Sequence, residues 1–280
     1  MPLTFRLDDY QSYRERVGQA TYVDLSRRTD PARIPAVWEN LRALVAAYGP
    51  PWVAQVWTKD AAGVIRLGGE ALHALRPTTT LTAQLTVTGL GGSIWEPLVP
   101  PDGFDAAPRL AELLGGPEHI RWRYDPIIPT VHSPERFARL AAQAARLGIG
   151  QGVINFVAPP GRYARVDARL AAHLPGWAEG MPGYDAAWRA DAARALVRIA
   201  AEAGLVLSCC AESAGLAAQV PGLGPAACGD HAWFVALAGH DPGRPRRRGS
   251  RPGCGCAPYF DVGSYGHWAR CHRCAYCYAG

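Results

Sequence analysis

Five of the eight cysteines fall between Cys254 and Cys277, in the run C-G-C-A-P-Y-F-D-V-G-S-Y-G-H-W-A-R-C-H-R-C-A-Y-C. Cys254 and Cys256 open this run, and Cys271, Cys274 and Cys277 close it at two-residue gaps. Thiolates packed this densely repel one another and oxidise unless a cation holds them, and iron–sulfur clusters and structural zinc are the usual cations. Three thiolates leave one iron of a 4Fe–4S cluster open. Such an iron can chelate the amino and carboxylate groups of S-adenosylmethionine and cleave its sulfonium bond reductively. Tyr276, just before the last cysteine, could pack against the adenine of that cofactor or against ordinary apolar neighbours. Cys210, Cys228, Cys254 and Cys256 make a second set of four, enough for an auxiliary iron–sulfur cluster or a structural Zn2+. Cys210 and Cys228 could equally be small buried hydrophobes, and Cys209, pointing opposite to Cys210, reads as core.

A second group of candidates follows the apolar runs of the chain. Ser26-Arg27-Arg28-Thr29-Asp30 succeeds the first, and Trp57-Thr58-Lys59-Asp60 ends the second. The third carries Gln84, Thr86 and Thr88 at period two, and the fourth Arg121, Arg123 and Asp125. Asn155 lies in the fifth, and Cys210-Ala211-Glu212 ends the sixth. In parallel α/β folds the ligand sits at the carboxyl ends of the strands. Lys59, Arg123, Asp125 and Glu212 are therefore candidate catalytic residues, and Ser26, Arg28, Asp30, Thr86 and Asn155 candidate binding residues. Charges in such a place need partners; Arg28, Lys59 and Arg123 could pair with Asp30, Asp125 and Glu212, either around an anionic substrate or merely to close the top of the sheet. Lys59 is the only lysine in a chain of net charge +5. The bland account of that bias is arginine replacing lysine across the surface.

These residues need a frame. The six apolar runs, Thr21–Leu25, Trp52–Trp57, Leu81–Val87, Ile120–Tyr124, Gly152–Val157 and Leu205–Cys210, read as strands. Helical periodicity marks Ile34–Ala47, Arg109–Leu114, Pro134–Leu147 and Ala186–Ala203, with a shorter turn around Glu70–Leu75. The alternation predicts a parallel sheet in an α/β fold, most simply a partial (β/α)6 TIM-like barrel over residues 1–225, with a doubly wound sheet as the alternative. Residues 226–280 form a cysteine-rich iron–sulfur segment expected to cover the strand ends. The Gly- and Pro-rich stretch Ala158–Asp185 is the longest insertion, and Gly243–Gly253 reads as an exposed arginine-rich linker.

Several motifs are weaker. Gly89-Leu90-Gly91-Gly92 could lie against a cofactor, but such turns are common. Glu96 could bind an amine or stand exposed. His267 and His272 flank the cysteines, and either could stand in for a missing ligand or stay outside the ligand shell. No Walker or dinucleotide motif is present. The N-terminal residues carry no apolar signal stretch and no segment is apolar enough to span a bilayer, so the expectation is a cytoplasmic protein with reduced thiols and no membrane partner.

Taken together, Ser26–Asp30, Trp57-Thr58-Lys59, Gln84-Leu85-Thr86, Arg121–Ile127, Cys210-Ala211-Glu212, Cys228, Asp261–Tyr265 and the cysteine tail resemble the bacterial family labelled domain of unknown function eighteen-forty-eight. The resemblance implies a C-terminal cysteine cluster similar to the N-terminal one of radical S-adenosylmethionine enzymes. The tail Cys274–Ala279 is similar to the cluster loop of the spore photoproduct lyase-like branch. Those enzymes space their first two cysteines by three residues, whereas only His272 and Arg273 separate Cys271 from Cys274. The resemblance carries no reaction with it. The leading expectation is an iron–sulfur enzyme that cleaves S-adenosylmethionine to modify a small, anionic substrate, fed by a reductant such as a flavodoxin or ferredoxin. The alternatives are a zinc-stabilised barrel hydrolase or lyase, and a nucleic-acid-repair-associated binding module contacting nucleic acid through Arg244–Arg251. That linker lacks interleaved aromatics, so nucleic acid is the weaker expectation.

Overall fold

The computed structural model describes residues 5–181, 183–210, 214–243 and 254–279. Glu212 and the linker arginines Arg244–Arg251 lie outside the described residues. The strands are β1 (Tyr22–Leu25), β2 (Val53–Thr58), β3 (Thr80–Thr86), β4 (Ile120–Ile127), β5 (Gln151–Phe156), β6 (Val206–Cys209), β7 (Gly224–Pro225) and β8 (Phe260–Asp261). The helices are α1 (Leu7–Val17), α2 (Pro35–Tyr48), α3 (Ala61–Leu75), α4 (Ala107–Leu114), α5 (Pro134–Arg146), α6 (Ala164–Ala171), α7 (Ala186–Glu202), α8 (Ala214–Ala217) and α9 (His231–Ala238).

All strand pairs are parallel in one sheet of order β7-β6-β5-β4-β3-β2-β1-β8. The six expected strands are present, and two-residue strands extend both edges. From β1 to β7 each strand is laid beside its predecessor, without the reversal of order that defines a doubly wound sheet. Right-handed crossovers then put the connecting helices on one face. The burial pattern agrees. Val23, Leu25, Ala54, Val56, Leu81, Leu85, Trp122, Tyr124, Ile154 and Leu207 share one core with Trp38, Leu41, Leu44, Leu72, Phe137 and Leu196 of the helices. The alternate strand positions point to the opposite face and include the polar residues Asp24, Gln55, Thr82, Gln84, Arg121, Arg123, Asn155 and Ser208.

Part of that polar face is packed by residues from beyond β7. Trp233 and Phe234 of α9 join Ala20, Tyr22, Trp52, Val53 and Ala257 in a second, smaller apolar cluster. Arg121 is spent in this packing. It donates to Gln151 Oε1 (2.6 Å), to the Ala227 carbonyl (3.0 Å) and to Asp230 (2.8 Å), and its guanidinium lies 4.1 Å from the Trp233 ring centre. β8 then pairs with β1, setting Val23 opposite Phe260 and Asp24 opposite Asp261.

Helix starts follow side-chain capping. Asp60, Ser133, Asp185 and Asp230 accept backbone N–H groups at the heads of α3, α5, α7 and α9. The sequence reading marks no helix at α1 or α9, takes the stretch that holds α6 as an insertion, and shortens α3, which runs from Ala61 although only a short turn near Glu70 is expected. Its glycines look like breakers. Gly68 is instead a contact: a Cβ there would overlap the Trp38 indole, and Trp38 is 1% exposed. No helix among the described residues is long and apolar enough to cross a membrane.

Gly68→Ala is expected to destabilise the protein by about 1–3 kcal/mol through overpacking, read as a lowered midpoint in guanidinium denaturation; an unchanged midpoint would show that α2 and α3 can separate without cost.

Candidate active site

At the carboxyl ends of β1 and β2, Asp30 is buried (7% exposed) and fully engaged. It accepts the Thr58 hydroxyl (2.8 Å), the N–H groups of Lys59 (2.6 Å) and Ala32 (2.9 Å), and His272 Nε2 (2.9 Å). His272 is 1% exposed, and its Nδ1 lies 3.0 Å from the Leu98 carbonyl oxygen. Both ring nitrogens face acceptors, so the imidazole is doubly protonated. Burial opposes that charge, but the Asp30 carboxylate outweighs it and raises the His272 pKa. Burial likewise opposes the Asp30 anion; the His272 cation and three further hydrogen bonds overcome this and lower its pKa.

Lys59 Nζ is 2.8 Å from Glu96 Oε1. Glu96 is 1% exposed and also accepts the hydroxyls of Thr88 (2.7 Å) and Tyr276. Burial again works against both charges, and each partner more than compensates the other, so Lys59 stays an ammonium and Glu96 a carboxylate. Among the described residues Lys59 thus pairs with Glu96 rather than with Asp30 or Asp125. Glu96 is brought in by the turn after β3. In that turn Gly91 bridges to Glu96, and a Cβ on Gly91 would overlap the Pro100 carbonyl. Gly91 therefore serves backbone packing, while Gly89 and Gly92 take the positive φ values (70° and 75°) that the turn requires.

The cysteine tail is tied to the same strand ends. Thr29 donates to the Ser264 carbonyl (3.2 Å), Arg28 to that of Gly263 (3.2 Å), Arg33 to that of Arg270 (3.1 Å) and Asn40 to that of Val262 (2.8 Å). Ala275 N–H reaches the Trp95 carbonyl (3.0 Å), and Arg169 binds the carbonyls of Ala275 (2.8 Å) and Cys277. Ser26 is buried, accepts the Arg28 N–H (3.0 Å), and lies where a Cβ on Gly263 would fall. Cys271 Sγ accepts the N–H of Asp30 (3.3 Å). Burial, followed by the Asp30 charge, pushes the Cys271 thiol up to about 11. Burial pushes Cys274 to about 12 against the pull of Lys59, and raises Cys277 as well.

The second set of cysteines meets on the polar face. Cys210 and Cys256 both hydrogen-bond the Cys228 sulfur, and these bonds, helped by Arg123 and Arg27 against burial, lower its pKa well below the usual thiol range. Arg123 Nη1 is 3.3 Å from Cys228 Sγ and its other arm pairs with Asp125. Cys256 Sγ accepts the N–H groups of Cys228 (3.1 Å) and Gly229 (3.4 Å). Arg27 pairs with Asp24 and lies between the rings of Trp57 (4.4 Å) and Tyr259 (3.8 Å). Cys254 is partly exposed nearby in sequence, and Cys209 is core. Among the described residues, no three His, Cys, Asp or Glu side chains already stand in ion-ligating geometry.

Two groups of the candidates are therefore brought together. Asp30, Lys59, Tyr276 and the terminal cysteines form one, and Arg123, Asp125, Cys210, Cys228 and Cys256 the other; the Asp125 charge still acts on Lys59. Thr86 is half-buried, and Asn155 has a buried Oδ1 without a hydrogen-bond partner among the described residues. Sequence reasoning passed over Asp24, a buried anion bonded by Arg27, Gln55 (3.2 Å) and Trp57 (3.0 Å). Its signal was a charge inside an apolar run, two residues before Ser26. It also missed the burial of Glu96 and His272, for which no local signal exists.

Fold and site together define a parallel α/β protein with a thiol-rich centre at the carboxyl ends of its strands. The chain belongs to the family described as domain of unknown function (DUF1848), whose model matches residues 52–279. No curated protein matches the chain in sequence. Among solved structures it is similar to a dipeptide epimerase from Methylococcus capsulatus complexed with Mg ion, at 14% identity over 74% of this chain and 54% of that one, with a TM-score of 0.33. It is also similar to the carboxyl transferase domain of Rhizobium etli pyruvate carboxylase, at 14% identity over 83% and 48%, with a TM-score of 0.27. The chain spans about half the length of these structures, and likenesses this low carry no functional argument.

The Asp30–His272 pair makes stability depend on pH. A raised His272 pKa stabilises the fold fully below about pH 6.5, and this is lost as pH rises through the higher folded value. A lowered Asp30 pKa stabilises it above about pH 3.9, and this is lost as pH falls through the lower folded value. The Tm difference between wild type and His272→Gln should be largest between these limits and shrink as pH rises through the raised His272 pKa. A difference independent of pH would mean the ring is neutral.

Proposed function

We propose that the protein is an iron–sulfur enzyme resembling radical S-adenosylmethionine enzymes, acting on a small anionic substrate. In this reading Cys271, Cys274 and Cys277 hold a 4Fe–4S cluster, and the six long strands act as a partial (β/α)6 barrel over residues 1–225 with residues 226–280 covering their ends. The observation that carries it is the joining of a partly buried three-thiol loop to the Lys59–Glu96 and Asp30–His272 pairs at the strand ends. The donor set suits the group. The three sulfurs lie within seven residues of chain, and one already takes a backbone N–H, as cluster thiolates commonly do. When bound, such a cluster supplies the electron that cleaves the sulfonium bond of S-adenosylmethionine.

The chain's own residues then divide the remaining work. The Asp30 carboxylate and the His272 cation anchor the loop between Cys271 and Cys274 to the ends of β1 and β2. Glu96 holds the Tyr276 hydroxyl, leaving the phenol ring, 5.4 Å from Lys59 Nζ, as a fixed wall for a flat ligand. Lys59, Arg28 and Arg123 supply positive charge for an anionic group; Ser26, Thr86 and Asn155 supply hydrogen bonds, the unpartnered Asn155 oxygen being the freest acceptor. Asp125 and Glu212 are the carboxylates available to move a proton. An electron donor of the flavodoxin or ferredoxin class and a cytoplasmic setting that keeps the thiols reduced complete the reading.

Anaerobic purification should yield a brown protein with about four iron and four sulfide per chain. Replacing Cys271, Cys274 and Cys277 with alanine should abolish that iron and the reductive cleavage of S-adenosylmethionine together. A colourless wild-type protein that takes up no iron on anaerobic reconstitution would overturn the reading.

A further inference from the structure

Cys210, Cys228 and Cys256 come from three separate places in the chain: the end of β6, the loop before α9 and the loop before β8. Folding nevertheless brings them together: Cys256 Sγ accepts the Cys228 N–H at 3.1 Å, and the Ala226 N–H bonds the Cys209 carbonyl at 2.8 Å, which sets the loop that carries Cys228 beside the strand end that carries Cys210. Gly255 packs so closely on Ala227 that a Cβ would lie 3.2 Å from the alanine methyl. This holds the Cys254-x-Cys256 pair against the residue before Cys228. We propose that Cys210, Cys228, Cys254 and Cys256 form a second metal centre, independent of the terminal triplet, that takes one soft divalent cation of the zinc class.

Three observations carry the assignment. First, the sulfurs sit in the hydrogen-bonding environment that orients thiolate ligands. Cys256 Sγ receives two backbone N–H groups, at 3.1 and 3.4 Å, and Cys228 Sγ receives Arg123 Nη1 at 3.3 Å. Second, two guanidiniums lie beside the sulfurs and offset part of the negative charge that four thiolates around a divalent cation would carry: Arg123, which also pairs with Asp125, and Arg27, which also pairs with Asp24 and whose Nη2 lies against Gly229, buried and without a hydrogen-bond partner among the described residues. Third, the donor type fits: four thiolates make a closed ligand set for an ion of the zinc class, whose Zn–S bonds are about 2.3 Å. Cys254 is partly exposed, and in this proposal it supplies the fourth thiolate.

Binding exchanges the thiol protons for metal–sulfur bonds and releases them to solvent. A shell of four protein thiolates leaves no open position, so the centre is structural. It staples residues 226–280 to the end of β6 and thereby to the polar face of the sheet.

The test uses the full chain carrying Cys271→Ser, Cys274→Ser and Cys277→Ser, so that failure of the cluster reading cannot be mistaken for failure of this one. Titrated anaerobically with Co2+ alone, this variant should bind one equivalent, with intense thiolate-to-cobalt charge transfer and tetrahedral d–d bands, both displaced by Zn2+. Adding Cys228→Ser and Cys256→Ser should abolish the bands. The single change Cys254→Ser, at the partly exposed position, should keep the fold by circular dichroism, weaken Co2+ binding at least tenfold and blue-shift the charge transfer. Absence of cobalt bands in the triplet-free protein, bands that survive loss of Cys228 and Cys256, Co2+ affinity unaltered by Cys254→Ser, or stoichiometric iron and sulfide held by these four cysteines would each overturn the proposal.

Discussion

A sheet wound in one direction keeps its helices on one face, and the opposite face must find another cover. In this protein that face carries Asp24, Gln55, Gln84, Arg121 and Arg123, whose burial costs several kcal/mol apiece unless partners are supplied. The partners come largely from the C-terminal quarter of the chain. Arg121 takes Asp230 and the Ala227 carbonyl, Arg123 takes Cys228, and Gln84 takes the Cys228 carbonyl at 3.2 Å. The segment that carries the cysteines is thus also the segment that makes the polar face tolerable.

The strand ends repeat this on a smaller scale. Asp30 and Glu96 are buried anions, each held by several donors and one cation. In both cases the tail provides a donor, His272 for Asp30 and Tyr276 for Glu96. Removing the tail would leave two anions under-compensated in a low-dielectric site. Docking of the cysteine loop and neutralisation of the pocket are consequently one event, which places reactive sulfur beside fixed charge without a separate device for each.

Much of this frame was legible in the chain. The six long strands appear where β-branched and aromatic residues run between turn signals, and α2, α5 and α7 match their periodic stripes to within two residues. α3 was not legible, because Gly68 reads as a breaker until Trp38 is known to lie on it. The edge strands β7 and β8 are two residues each, too short to leave a pattern. At the site, Lys59, Asp30 and Arg123 were readable from their positions just past or within apolar runs. Glu96 and His272 were not, since a lone carboxylate after a glycine turn and a lone histidine between cysteines look the same whether buried or exposed.

Sequence by itself determined the parallel α/β class, the alternation that makes one strand face polar, and the two groups of cysteines. These depend on residue type and spacing along the chain, which act locally. Only the tertiary structure decided that Lys59 pairs with Glu96, that His272 bonds Asp30, and that Cys210, Cys228 and Cys256 meet beneath two arginines. Buried charges and thiols choose partners by distance and desolvation, and both are set by segments far apart in sequence packing onto one sheet.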